Sequence, residues 1–127
     1  MTDLRLLQPY SRLPDVHRLA DVFVLPSIST RTVQEQFGIA LIEAMATAKP
    51  VLTTHAGAID EVIGDAGLVV QANDYYRLAE GLRTLALDAD LRARLGQRGF
   101  ERVQRHFTRE LIGEQVASAY RHVLGMR

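Results

Sequence analysis

From Ile39 to Ala46 the chain reads Ile-Ala-Leu-Ile-Glu-Ala-Met-Ala, apolar at every position but one. A helix that is apolar on nearly all sides is at home in a core, against a sheet or another helix. The exception, Glu43, is costly to bury unless hydrogen-bond donors meet it there. Gly38 stands at the start of the predicted helix, where the missing side chain lets a ligand approach the backbone. The first helical turn offers free N–H groups and the positive end of the dipole, a combination that favours phosphate. Glu35 falls just before that turn and Glu43 well inside the helix. Eight helical steps would separate them by roughly 12 Å, at about 1.5 Å per residue. The spacing fits a diphosphate on the helix start, with the two carboxylates accepting from hydroxyl groups at opposite ends of one ligand.

Two plainer readings stay open at this point. Thr32-Val33-Gln34-Glu35 also matches a capping box, which would make Glu35 the tie of a helix start. That helix would carry Gly38 in its interior, at a cost of about 1 kcal/mol relative to Ala. Glu43, for its part, can be a structural acid paired with a nearby Arg or Lys.

The flanking segments set the fold class. Leu4–Leu7 is a short apolar run that reads as a strand, and Gln8–Ser11 is a turn by composition. Asp15–Ala20 is predicted as a short helix, with Pro14 suited to its first turn and Val16, Leu19 and Ala20 on one face. Val22–Leu25, stopped by Pro26, reads as a strand buried on both faces. A polar loop over 27–34 follows it, at the carboxyl edge where open α/β sheets bind ligands. Val51–Thr54 is the next strand, then a loop over 55–58, a helical turn over Ile59–Ile63 and a strand over Gly67–Val70. Alternating strands and helices imply parallel pairing with right-handed crossovers, hence an α/β, Rossmann-like three-layer parallel sheet. Beyond Asn73 the pattern is helical throughout. Asn73 or Asp74 is positioned to cap one helix through about Ala86, with Leu78, Leu82, Leu85 and Ala86 on one face. Asp90 is the expected cap of a second helix and Thr108 of a third, which carries Leu111, Ile112, Val116, Ala119 and Val123. Arg92, Arg94, Arg98, Arg102 and Arg105 read as solvated helix surface, interleaved with Glu80, Asp88, Asp90 and Glu101.

Composition narrows the function. At 127 residues the chain is one domain by size, small for an enzyme of two substrates. Its 15 basic and 15 acidic residues cancel, which removes the electrostatic case for nucleic acid. It has no cysteine, so disulfides and thiol chemistry are excluded, consistent with a cytoplasmic setting. No apolar run approaches the roughly 18 residues of a transmembrane span, and the first residues lack the form of a signal peptide. His17, His55, His106 and His122 have no zinc-like spacing. No segment resembles a nucleophile elbow. His55, in a loop after a strand, is placed for a ligand contact or for an ordinary surface role. Asp60-Glu61 reads as a paired-carboxylate site or, more simply, as acids opening a helix.

The run Pro26-Ser27, Glu35-Gln36-Phe37-Gly38-Ile39, Glu43-Ala44-Met45-Ala46 and Lys49-Pro50-Val51 resembles the donor-binding half of retaining, nucleotide-sugar-dependent glycosyltransferases. These are the two-Rossmann-domain (GT-B) enzymes of family 4, also called glycosyl transferases group 1. The likeness continues through Gly57–Val62 and Gly67–Val69 to Arg98, Arg102-Val103, Phe107 and Tyr120. It implies a partial GT-B carboxyl-terminal domain over residues 1–127, with the amino-terminal acceptor domain absent. It also implies that Glu43 binds the donor ribose and that Glu35 contacts the donor sugar near the reacting centre as the catalytic residue. Backbone N–H groups of Phe37, Gly38 and Ile39 would hold sugar hydroxyls and diphosphate. The partners implied are a nucleotide-diphosphate sugar and an unknown acceptor, with no metal or other cofactor, and the chain alone is expected to be inactive. Ala48 and Ala58 stand where the family usually has glycine, and the family's basic pair for the diphosphate has no counterpart. The rival expectation is a non-catalytic interaction module that self-associates, or binds a partner, through an exposed sheet edge.

Overall fold

The computed structural model describes residues 10–30, 32 and 37–125. The predicted strand Leu4–Leu7, residues 8 and 9 of the predicted turn, and Glu35 lie outside the described residues. Three strands, β1 (Phe23–Leu25), β2 (Val51–Thr54) and β3 (Leu68–Val70), form one parallel sheet in the order β1-β2-β3. Phe23 is in register with Val51, and Leu52 with Leu68. The helices are α1 (Leu13–Leu19), α2 (Ile39–Ala46), α3 (Ile59–Ile63), α4 (Tyr75–Leu87), α5 (Ala89–His106) and α6 (Arg109–Val123), after a 3₁₀ turn at Tyr10–Arg12. The α/β class and the parallel, layered sheet are those read from the sequence. No helix among the described residues is long and apolar enough to cross a membrane.

β2 is central, and all four of its residues are buried. Successive side chains on a strand face opposite ways, so Val51 and Leu52 enter different cores. Val51 joins Leu41, Ala44 and Met45 of α2, Ile59 and Ile63 of α3, and Val103 of α5. Leu52 joins Leu85 of α4 and Leu95 of α5. β1 was expected to be buried on both faces, yet its three residues are half-buried. The fully buried strand is the next one, flanked on both sides.

α5 contributes to both cores by passing under the amino end of the sheet. A Cβ at Gly96 would overlap the carbonyl oxygen of Ala48, just before β2, and one at Gly99 would come within 3.1 Å of Met45 Cγ. The amino edge is therefore covered at van der Waals distance. The carboxyl edge, where open α/β sheets bind ligands, is tied together by Thr53 Oγ1 donating to the Leu25 carbonyl (2.8 Å), Thr54 Oγ1 to that of Ser27, and His55 N–H to that of Val70 (2.9 Å).

Several local expectations are corrected. Val16 and Leu19 of α1 are 39% and 86% exposed, and the residue that α1 buries is His17. α5 is capped by Asp88, whose carboxylate accepts from Leu91 N–H at 2.8 Å, so Asp90 lies in the first turn. Asp74 and Thr108 cap α4 and α6 as read. On α4, Leu85 is buried and Leu78 half-buried, while Leu82 and Ala86 are exposed. α6 carries no fully buried residue. Two of the arginines that read as solvated surface are structural donors. Arg92 donates to the Leu85 and Ala86 carbonyls at 2.6 and 3.0 Å, and Arg102 to those of Val62 and Glu61 at 2.7 and 2.6 Å. Helix ends leave such carbonyls without internal partners, and nothing in the spacing of the arginines announces which of them will supply the donors.

Candidate functional site

The start of α2 is fixed by Gly38, which is buried and left-handed at φ +66°. A non-glycine residue pays about 1–2 kcal/mol for that conformation. Its carbonyl accepts from Leu41 N–H at 2.9 Å and Ile42 N–H at 3.3 Å, so the helix begins there. This rules out a helix running through Gly38 from Thr32. A Cβ at Gly38 would lie 3.1 Å from Leu41 Cδ1 and 3.8 Å from Ile59 Cγ1, which sets the starts of α2 and α3 side by side. Among the described residues no side chain caps the first turn of α2. The Phe37 ring, 42% exposed, meets Phe107 edge-on at 6.0 Å. Arg102 in turn stacks 6.0 Å from the Phe107 centroid, so the end of α5 anchors the segment entering α2.

α2 is not buried all round. Leu41, Ala44 and Met45 are fully buried, but Ile39 is 61% exposed and Ala46 is exposed. Positions three and four apart share a helix face, so Ile39, Glu43 and Ala46 line the open side. Glu43 stands one turn beyond the helix start, half-buried. Among the described residues no Arg or Lys pairs with it; its partner is the Tyr10 hydroxyl, which donates to Oε1. That bond, with the carboxylate charge opposing a phenolate, raises the Tyr10 phenol above its ordinary 10.0. The structural ion pair considered for Glu43 is thus not formed among the described residues.

Tyr10, Leu13, Pro14, His17, Glu43 and Thr47 line a cleft of about 400 Å³ between α1 and α2. His17 packs its ring edge-on against Phe23 at 5.2 Å, and its Nε2 is buried without a hydrogen-bond partner among the described residues. Tyr10 and His17 are the site residues that sequence reasoning missed. Tyr10 is 33 positions from Glu43, and no local pattern joins them. Asp60 is engaged by His55, with Nδ1 and Oδ1 2.7 Å apart, and Asp60 and Glu61 both lie in the first turn of α3. Among the described residues no three His, Asp or Glu side chains are grouped to hold a metal ion.

The family model described as glycosyl transferases group 1 matches residues 4–102. The chain belongs to that family. Among curated relatives, it is 39% identical over 102 residues to a capsular polysaccharide biosynthesis glycosyltransferase of Staphylococcus aureus, covering 79% of this chain and 26% of that protein. It is 37% identical to the alpha-maltose-1-phosphate synthase of Mycolicibacterium smegmatis, over 94% of this chain and 32% of the relative. The chain therefore spans about a quarter to a third of the length of these curated relatives. Among solved structures, a sucrose-phosphate synthase from Thermosynechococcus elongatus superposes with a TM-score of 0.76 at 32% identity, over 87% of this chain and 27% of that one. The carboxyl-terminal domain of a group 1 glycosyl transferase from Francisella tularensis gives 0.71 at 29% identity, over 84% and 53%. The GT-B carboxyl-terminal fold expected from the sequence is the fold observed.

Proposed function

We propose that this chain is the donor-binding part of a retaining group 1 glycosyltransferase that takes a nucleoside diphosphate sugar. The observation that carries the reading is Glu43. It is a half-buried acid on a core helix, with no cationic partner among the described residues, and it opens on a cleft one turn from a glycine-initiated helix start. A carboxylate accepts only, and a ribose diol brings two donors to it. The diphosphate would lie toward the start of α2, where the dipole and the backbone N–H groups of the Phe37-Gly38-Ile39 segment favour negative charge. Glu35 would approach the transferred sugar near its reacting carbon. Preorganised donors at the helix start would stabilise the departing diphosphate, and that role calls for no metal. The acceptor would be bound mostly by another part of the whole enzyme, so this part alone would not turn over. An interaction module without a ligand is the less favoured reading, since it gives Glu43 no task.

Isothermal titration with UDP-, GDP- and ADP-sugars tests the reading. One of them is expected to bind, and Glu43→Gln to weaken it roughly tenfold or more, the size of a charge-assisted hydrogen bond. Binding that is indifferent to Glu43→Gln, or no binding by a longer protein that includes the acceptor part, would defeat it.

A further inference from the structure

Glu43 accepts one hydrogen bond from within the chain, and its partner stands on the far wall of the cleft. The Tyr10 hydroxyl reaches Oε1 from the 3₁₀ turn that precedes α1, while Glu43 belongs to α2, so one hydrogen bond spans the cleft between the two elements. Tyr10 is 75% exposed and no residue of its turn is buried. Among the described residues the turn is therefore held by few buried contacts, and segments so held open at small cost. An exposed hydrogen bond of this kind is strong enough to be the resting arrangement and weak enough to be exchanged.

We propose that Tyr10 acts as a latch on Glu43: its hydroxyl occupies the carboxylate until a nucleoside diphosphate enters, and the ribose hydroxyls take its place. This deepens the donor-site reading and rests on it. A single hydroxyl gives one hydrogen bond to the carboxylate, whereas a vicinal diol gives two, so the exchange favours ligands with both ribose hydroxyls. The raised Tyr10 phenol agrees with a proton committed to the carboxylate. The same swap lets the first turn swing away from the cleft mouth, next to His17 Nε2, which is buried without a hydrogen-bond partner among the described residues. Affinity is thereby lowered by the fraction of molecules in which the latch is closed.

The experiment is calorimetric titration of UDP, GDP and ADP into the wild type, Tyr10→Phe, Glu43→Gln and the double variant, with circular dichroism confirming each fold. Tyr10→Phe keeps the ring and removes only the competitor, so the nucleotide that binds is expected to bind roughly three- to tenfold more tightly. In the Glu43→Gln background the same change is expected to leave affinity within twofold, because the coupled partner is gone. Unchanged or weaker binding by Tyr10→Phe overturns the latch while leaving a Glu43-dependent donor site intact. Binding that ignores Glu43, or the absence of binding in all four proteins and in a longer protein that includes the acceptor part, overturns the donor-site reading and the latch with it.

Discussion

The helix that carries Glu43 ends on a residue in the wrong conformation for its type, and the consequence can be measured. After Thr47, the last capping position of α2, Ala48 turns left-handed at φ +56°. Ala48 N–H bonds the Met45 carbonyl at 2.9 Å, and Lys49 N–H bonds that of Ala44 at 3.2 Å. Those two bonds make a Schellman ending, whose left-handed position is usually glycine. An alanine there carries about 1–2 kcal/mol of steric cost. Ala48→Gly removes it and adds roughly 0.5–1 kcal/mol of extra chain entropy lost on folding. Ala48 is exposed, so its methyl contributes little packing. The balance is a stabilisation of about 0.5–1 kcal/mol, or about 2–4 °C in Tm for a chain of this size. Urea unfolding followed by far-ultraviolet circular dichroism reads it as a rise in midpoint at unchanged slope. A midpoint that stays put or falls would refute the account of the α2 ending. The companion departure, Ala58, has φ −87°, an ordinary value. Ala58→Gly is therefore expected to destabilise slightly, and the opposite signs at two sites of the same substitution make the comparison sharp.

Gly96→Ala places a methyl into the Ala48 carbonyl, a backbone group that cannot rotate away; overpacking costs typically about 1–3 kcal/mol, and the loss in unfolding free energy should reach the upper part of that range. A variant as stable as wild type would mean that α5 does not close the amino edge as described. The ultraviolet titration of Tyr10, obtained as wild type minus Tyr10→Phe, is expected to fall above pH 10.0 and to move down in Glu43→Gln. With the carboxylate replaced, the phenol's proton is no longer held by a charged acceptor, and a curve indifferent to Glu43 would deny the contact. Thr108→Ala is expected to cost about 1 kcal/mol through loss of the α6 cap; an unchanged denaturation midpoint would show that α6 folds independently of it.

The parts of the fold legible in the sequence are those governed by local chemistry. β2 and α3 have the bounds expected of them, because Pro50, Gly57 and Gly64 punctuate the chain around them. Asp74 and Thr108 cap their helices because a short polar side chain before an apolar run has one good use there. What misled was burial. The apolar run of α2 reads as a core helix, but alanine and isoleucine are compatible with a core without requiring one, and the side bearing Ile39 and Ala46 is open. That open side also decides the candidate site. Had α2 been enclosed, Glu43 would have needed a buried cation, and the Coulombic return on such a pair seldom exceeds its desolvation cost. Exposed on one side, Glu43 needs only a weak and replaceable donor, and the chain supplies one in Tyr10. Sequence spacing conveys that an acid lies on a helix, and only the tertiary fold shows whether its partner is permanent. A partner from an exposed turn, reaching across a cleft, is the arrangement expected where a ligand is to be exchanged for it.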